Sequence, residues 1–126
     1  MPTRIAAIGF VLAFAVLLCG CGAQARSRAD MITGGSASRG ASAISRYGCG
    51  SCHTIQGITG ATGLVGPPLT GVGDRLYIAG VLQNNPQNLV SWIQHPTRIV
   101  QNTVMPDLGV TDQDALDIST YLYSLP

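Results

Sequence analysis

Apolar residues form one long block near the start of this chain and shorter periodic clusters in its second half. The block runs from Ile5 to Leu18 and follows Arg4, the only charge before it. Its length suits the roughly 7–15 residues of a signal-peptide core and falls short of the ~20 residues of a membrane helix. The block therefore predicts an export leader.

The end of the leader has three possible interpretations. Leu18-Cys19-Gly20-Cys21 resembles a bacterial lipobox, which would make residues 1–20 the signal peptide and Cys21 a lipid-bearing first residue. Ala23-Gln24-Ala25 also offers a small-x-small site, with cleavage after residue 25. In the third interpretation the leader stays on as a membrane anchor. We favour lipidation of Cys21, and each version exports the rest of the chain.

Residues 21–39 are polar, contain Gly-Gly and Ser, and lack apolar periodicity. This composition predicts a flexible tether, leaving residues 40–126 as one small domain. Gly40–Tyr47 is expected to form a short helix with Ile44 facing inward. The stretch from Thr54 to Arg75 is so rich in Gly, Thr and Pro that only a loop is credible there. A loop of this length needs something to wrap around.

Two further helices are predicted towards the C-terminus. Asn85-Pro86 combines an N-cap residue with a proline at the first helical position, and Pro96 is expected to stop that helix. The last helix should begin at Thr111, with Asp114 completing a capping-box pair. Apolar residues at helical spacing give each helix one inward face: Leu89, Val90, Trp92 and Ile93 in the first, and Ala115, Ile118, Leu122 and Leu125 in the second.

The charge pattern narrows the possible partners. The chain of 126 residues contains no lysine and no glutamate, and from Gly40 onward it carries three arginines against five aspartates. Nucleic-acid binding therefore has no basic patch to depend on. Docking of a protein partner is expected to be mostly apolar and only weakly steered by charge.

The sequence Cys49-Gly50-Ser51-Cys52-His53 has the C-x-x-C-H form that attaches a c-type haem. Two thiols spaced in this way can form thioethers with the two porphyrin vinyl groups, and the histidine can ligate the iron. A thioredoxin-type redox pair would need a larger α/β domain. A structural zinc site would need four ligands, and the only other histidine, His95, stands alone before Pro96.

The second iron ligand is predicted to be Met105. Thioether sulfur is the usual partner of histidine in electron-transfer haems and raises the reduction potential. Met31 lies in the polar segment upstream of the motif, whereas Met105 lies in a loop well downstream and is followed by Pro106. His95 is the remaining candidate, and its place at a helix end suggests a solvated side chain.

Taken together, the segments YGCGSCHTI, GPPLTGVGDR, AGVLQNNPQNLVSWIQHP and VMP, and a terminal helix ending in YLYSL, resemble class I cytochromes c. They are most similar to the cytochrome c domain fused to haem–copper oxidase subunit II. The resemblance implies an all-α fold in which the N- and C-terminal helices pack together beside a loop-rich haem wrap. It also implies one covalent haem c.

The resemblance assigns roles to individual residues. It implies thioether links at Cys49 and Cys52 and iron ligation by His53 and Met105. It further implies the roles of four neighbours: Pro67 accepts the other N–H of the histidine, Arg75 lies near a haem propionate, Trp92 lies near the methionine side, and Tyr121 belongs to the terminal-helix aromatic motif.

Two features depart from the subunit II pattern. Ile99-Val100-Gln101 stands where a lysine, a proline and a glycine are usual, and the copper-binding domain of subunit II has no counterpart in this sequence. We therefore expect a haem module acting as a periplasmic one-electron carrier, tethered to the membrane through the Cys21 lipid and not itself an enzyme. Its expected partners are a terminal oxidase or a dehydrogenase. The alternatives are a dedicated haem subunit of a larger oxidoreductase, and a haem-based gas sensor or peroxidase.

Overall fold

The computed structural model describes residues 22–126, so the predictions for the leader and for Cys21 lie outside the described residues. Within these residues, a helical stretch at 22–33 is followed by four helices, a two-stranded hairpin and two short 3₁₀ turns. In chain order these are α1 (Ala37–Arg46), 3₁₀ turns at Cys49–Ser51 and Val72–Asp74, β1 (Tyr77–Ile78), β2 (Leu82–Gln83), α2 (Pro86–Gln94), α3 (Pro96–Ile99) and α4 (Asp112–Tyr123).

Helices α1 and α4 form the most extensive contact between elements of this fold. Gly40 makes their close approach possible, because a Cβ at this position would lie 2.9 Å from the Cβ of Tyr121 and would overlap the Asp117 carbonyl. Ile44, on the same helix, is almost fully buried, as expected. The predicted packing of N- and C-terminal helices is therefore confirmed.

The ends of α2 and α4 follow their capping residues. The Asn85 side chain accepts a hydrogen bond from the Asn88 N–H, and Pro86 is the first residue of α2. Thr111 accepts from the Asp114 N–H at 3.2 Å, which begins α4 as predicted. Helix α2 ends at Gln94, before Pro96, as predicted. Pro96 also begins the one-turn helix α3, which was not predicted. A proline is well suited to a first helical position.

The segment predicted to be a flexible tether is instead ordered where it is described. Residues 22–33 are helical, and α1 begins at Ala37, three residues before the expected domain start. The Asp30 carboxylate accepts from the Ala37 N–H at 2.8 Å, and the hydroxyls of Thr33 and Thr120 hydrogen-bond at 2.5 Å. The second contact joins the segment to α4, far away in sequence, which its own composition does not predict.

The remaining chain is mainly loop, as expected for residues 54–75. An isolated bridge between Thr54 and Thr62 and the turn at Val72–Asp74 are its regular features. The hairpin was not predicted, because each strand has only two residues, paired as Tyr77 with Gln83 and Ile78 with Leu82. No helix within residues 22–126 combines the length and the apolar character needed to cross a membrane.

Candidate cofactor site

A cavity of about 440 Å³ lies between the helices and the loop wrap. Protein interiors contain few voids larger than a water molecule, and a domain this small has little core of its own. A cavity of this size therefore indicates a resident apolar group. Apolar side chains from every part of the fold line it, among them Ile44, Ile55, Leu69, Val72, Ile78, Leu89, Ile93, Val110, Ile118 and Leu122.

His53 lines this cavity with its ring held on one side. Its Nδ1 lies 2.7 Å from the carbonyl oxygen of Pro67, which can only accept, so Nδ1 carries the proton and donates. Nε2 then keeps its lone pair for a metal ion. Gly66 lies against the ring so closely that a Cβ there would overlap the imidazole. The backbone at Gly66 and Pro67 thus fixes both the tautomer and the position of His53.

The two thiols lie on a tight turn at the wall of the cavity. Cys49 and Cys52 are half-buried and unbonded to each other, and the His53 N–H donates to the Cys49 carbonyl at 3.0 Å. Gly50 packs against Ala61, where a Cβ would come within 2.7 Å. Burial raises the pKa of the Cys49 thiol, whereas a redox-active pair depends on a thiol of lowered pKa. The environment of Cys49 therefore gives no support to a role in thiol–disulfide exchange.

Met105 lines the same cavity and lies in a loop that is hydrogen-bonded both internally and to α3. Its N–H donates to the Thr103 hydroxyl at 3.2 Å. Two residues further on, the Asp107 carboxylate accepts from the Thr97 hydroxyl at 2.9 Å and from the Thr97 N–H at 3.2 Å. The hydrogen bonds from Thr97, assisted by the nearby His95 and Arg98, lower the pKa of Asp107. The loop is therefore anchored to α3 by a charged acceptor.

The other candidate ligands lie elsewhere. His95 is exposed at the end of α2, and Met31 is 79% exposed. Among these three, Met105 is the one that lines the cavity together with His53 and both cysteines.

Arg75 and Trp92 were predicted to belong to this site, and Tyr121 to the aromatic motif of the terminal helix. Arg75 lines the cavity, and its guanidinium donates to the carbonyls of Pro68 and Thr70 at 2.5 and 3.2 Å. Trp92 is half-buried and also lines the cavity. Tyr121 is buried outside the lining, and its hydroxyl donates to the Gln56 carbonyl at 2.7 Å.

Sequence reasoning missed two residues of the site. Gly66 stands directly before Pro67 in the sequence. Since Pro67 was already predicted to orient His53, this position could have indicated that Gly66 lies beside the histidine. Asn84 also lines the cavity, but it lies at the end of a hairpin that was not predicted. No pattern in the sequence singles it out.

Comparison with known proteins identifies the family of this chain. The family model described as "Cytochrome c" matches residues 37–126, which include every cavity-lining residue named above. The chain belongs to the cytochrome c family. The resemblance noted in the sequence is thereby confirmed, and so is the small all-α class I fold. Membership implies electron transfer and covalently bound haem c.

Two relatives refine this placement. The chain is 39% identical over 92 residues to "Cytochrome c oxidase subunit 2" of Alkalihalophilus pseudofirmus, covering 71% of this chain and 25% of that protein. It is 32% identical over 87 residues to the protein of the same name from Bacillus sp. (strain PS3), covering 66% and 24%. The chain thus spans about a quarter of the length of these relatives. No solved structure matches it.

The residues present fit a haem. The cavity has an apolar lining, two half-buried thiols at one wall, an imidazole whose Nε2 has no hydrogen-bond partner among residues 22–126, and a thioether. This donor set is that of a His/Met-ligated c-type haem. No group of three His, Cys, Asp or Glu side chains within residues 22–126 is arranged to hold a metal ion, so the described part of the chain lends no support to a structural zinc site.

Proposed function

We propose that this protein is a one-electron carrier with a single haem c, attached through Cys49 and Cys52 and ligated by His53 and Met105. The supporting observation is that these four side chains, which span more than fifty residues of sequence, all line one apolar cavity. If the C-x-x-C-H motif had arisen by chance, there would be no reason for Met105 to line the same cavity.

When bound, the haem supplies a one-electron couple. The protein side chains hold that couple in place and set its potential. Pro67 keeps the His53 imidazole in the tautomer that ligates through Nε2, and the Met105 thioether favours a high reduction potential. If His53 and Met105 both ligated the iron of a bound haem, no coordination position would remain for oxygen or peroxide. The proposal is therefore an electron carrier, in preference to a sensor or peroxidase.

The partner and location form a second part of the proposal. The relatives are named cytochrome c oxidase subunit 2, which favours a terminal oxidase as electron acceptor, with a dehydrogenase complex on the donor side. We place the domain on the periplasmic side of a bacterial membrane, exported by residues 1–20 and anchored through a lipid on Cys21. The cavity-lining residues Val65, Tyr77 and Val104 are more than half exposed, which supports an apolar docking surface.

A dedicated haem subunit of a larger complex is the second candidate, and one observation favours it. The segment upstream of the domain is helical, and Ala29 within it is only 3% exposed. A helix from residue 22 to Ala29 rises only about 10 Å, so an anchor at Cys21 would hold the haem domain close to the membrane. Co-purification of an oxidase in mild detergent would favour a subunit over a mobile carrier.

Substitution of the sixth ligand tests the central proposal. Met105→Ala should keep the haem covalently attached, because both cysteines and His53 are untouched. It should also lower the reduction potential and allow carbon monoxide or cyanide to bind. Spectroelectrochemical titration of the purified protein measures both ligation and potential. His95→Ala is the matched control and should leave both unchanged. The reverse pattern would identify a bis-histidine cytochrome.

A separate experiment tests the proposed membrane anchor at Cys21. Cys21→Ser should release the protein from the membrane fraction if Cys21 carries the lipid chains that a stable anchor requires. A mature chain beginning at Arg26 in intact-mass measurements would instead show cleavage at the small-x-small site.

A further inference from the structure

A hydrogen-bonded chain runs from the C-terminal helix to the backbone beside His53. From it we infer that Asn84 and Tyr123 are positioning residues, which hold Arg75 at the His53 side of the cavity and thereby raise the reduction potential. The inference rests on the proposed covalent haem and its ligation by His53. Neither residue belongs to the attachment motif or to the ligand set.

Asn84 is the centre of this chain. Its Nδ2 donates to the carbonyls of Val72 and Arg75 at 2.7 and 2.8 Å, and its N–H donates to the Leu76 carbonyl at 3.0 Å. Carbonyl oxygens can only accept, so the carbonyls of Val72 and Arg75 fix the orientation of the Asn84 side-chain amide. Asn84 therefore ties the segment from Val72 to Leu76 to the end of the hairpin.

Tyr123 supplies the fourth contact of Asn84. Its hydroxyl donates to Asn84 Oδ1 at 2.7 Å, and a Cβ at Gly73 would lie 3.1 Å from the tyrosine ring. The ring thus lies against the segment from Val72 to Leu76, and the hydroxyl binds Asn84, which is itself hydrogen-bonded to that segment. Burial raises the pKa of Tyr123, so the phenol keeps its proton and remains a donor at neutral pH. Both polar atoms of the Asn84 side chain then have hydrogen-bond partners.

Arg75 connects Asn84 to the backbone that follows Pro67. Its carbonyl is held by Asn84, while its guanidinium donates to the carbonyls of Pro68 and Thr70. Pro68 follows Pro67, whose carbonyl accepts from His53 Nδ1 at 2.7 Å. The cation and the orienting carbonyl therefore belong to one short stretch of backbone, braced from the opposite side by Asn84.

A fixed cation beside the cavity affects the redox couple through its charge. Oxidation adds one positive charge to the site, and a nearby guanidinium disfavours that added charge. Arg75 is exposed, so salt screens its charge, and its effect on the site depends on the hydrogen bonds that hold the guanidinium close to the cavity. Loosening the brace should therefore favour the oxidised state and lower the reduction potential.

The test compares two tyrosines on the same helix. Tyr123→Phe removes the hydroxyl bonded to Asn84, and Tyr121→Phe removes a hydroxyl bonded to the Gln56 carbonyl at the same distance of 2.7 Å. In spectroelectrochemical titration of the full-length holoprotein, Tyr123→Phe should raise the oxidised-to-reduced ratio at fixed ambient potential, because the Arg75 guanidinium is then held less firmly beside the cavity. Tyr121→Phe should leave the ratio unchanged.

A double-mutant cycle shows whether the effect passes through Arg75. Tyr123→Phe should have no further effect on the potential in an Arg75→Gln background. Hydrogen exchange gives a readout independent of the potential: amides 72–76 should exchange faster in Tyr123→Phe, and amides 56–58 in Tyr121→Phe. Asn84→Ala should exceed Tyr123→Phe in both measurements, and if it does not accumulate, the tyrosine pair decides.

Equal shifts in the two tyrosine variants, no shift in either, or an effect that persists without Arg75 would overturn the inference. Failure of the proposed function would look different. The unmodified protein would then lack the covalent haem or the His/Met spectrum before any variant was compared.

Discussion

Asp117 offers the sharpest test of how this fold is held together. The residue lies in the middle of α4 and is only 1% exposed. It accepts from Arg39 Nε at 2.7 Å, Arg39 Nη2 at 2.9 Å, the Ser36 N–H at 2.7 Å and Gln113 Nε2 at 3.2 Å. One buried carboxylate therefore ties the start of α1 to α4, and Asp117→Asn removes its charge at almost unchanged volume.

The stability that Asp117→Asn is expected to lose follows from these contacts. A hydrogen bond to a charged acceptor contributes about 1.5–3 kcal/mol, against about 0.5–1.5 for a neutral one. The Ser36 bond therefore loses about 1 kcal/mol. The Arg39 side chain is 62% exposed, and ion pairs with such exposure contribute at most about 1 kcal/mol. We expect Asp117→Asn to reduce the free energy of unfolding by about 1–2 kcal/mol at pH 7, which lowers Tm by roughly 5–15 °C in a domain of this size.

The loss should depend on pH in a defined direction. Burial raises the pKa of Asp117, but the hydrogen bonds from Arg39, Ser36 and Gln113 outweigh it, and the pKa lies below its ordinary value of 3.8. A carboxyl with lowered folded pKa contributes stability that is fully present above the unfolded pKa and lost as the pH falls through the folded one. The difference between wild type and Asp117→Asn should therefore shrink below about pH 4.

Guanidinium unfolding of the holoprotein, followed by circular dichroism at several pH values between 7 and 3, measures this difference. Asp112→Asn is the matched control, because it changes the same net charge on the same helix at an exposed position. Its hydrogen bond from Gln94 at 2.7 Å and its place in the first turn predict a loss below about 1 kcal/mol. A difference for Asp117→Asn that stays constant down to pH 3, or that never exceeds the control, would refute the reasoning.

Three other substitutions test the site and the helix contact. Gly66→Ala should drive a methyl group into the His53 ring, giving a lower yield of holoprotein and an altered visible spectrum. Cys49→Ala or Cys52→Ala should prevent stable accumulation, because the haem would supply most of the apolar core; recovery of a folded apo-domain from the double variant would contradict this. Gly40→Ala should cost about 1–3 kcal/mol of unfolding free energy through overpacking against α4, whereas Ser42→Ala, at an exposed position of α1, should change it by less than about 0.5 kcal/mol.

The features that the sequence determined by itself are those set by local chemistry. C-x-x-C-H indicates haem attachment because two thiols and an imidazole within five residues can reach one porphyrin. The starts of α2 and α4 follow from Asn85 and Thr111, because a capping side chain bonds to an N–H only a few residues away. The buried stripe of Ala115, Ile118 and Leu122 follows from helical spacing alone.

Other features were decided only by tertiary structure, since they depend on groups far apart along the chain. The order of residues 22–36 depends on Thr120 and Asp117 in α4, so composition alone predicted a flexible tether. The brace at Asn84 joins a hairpin of two-residue strands to α4, and such short strands carry no periodic signal. Local spacing reveals which groups can reach one another within a turn or two of chain, whereas long-range contacts exist only after the helices have packed.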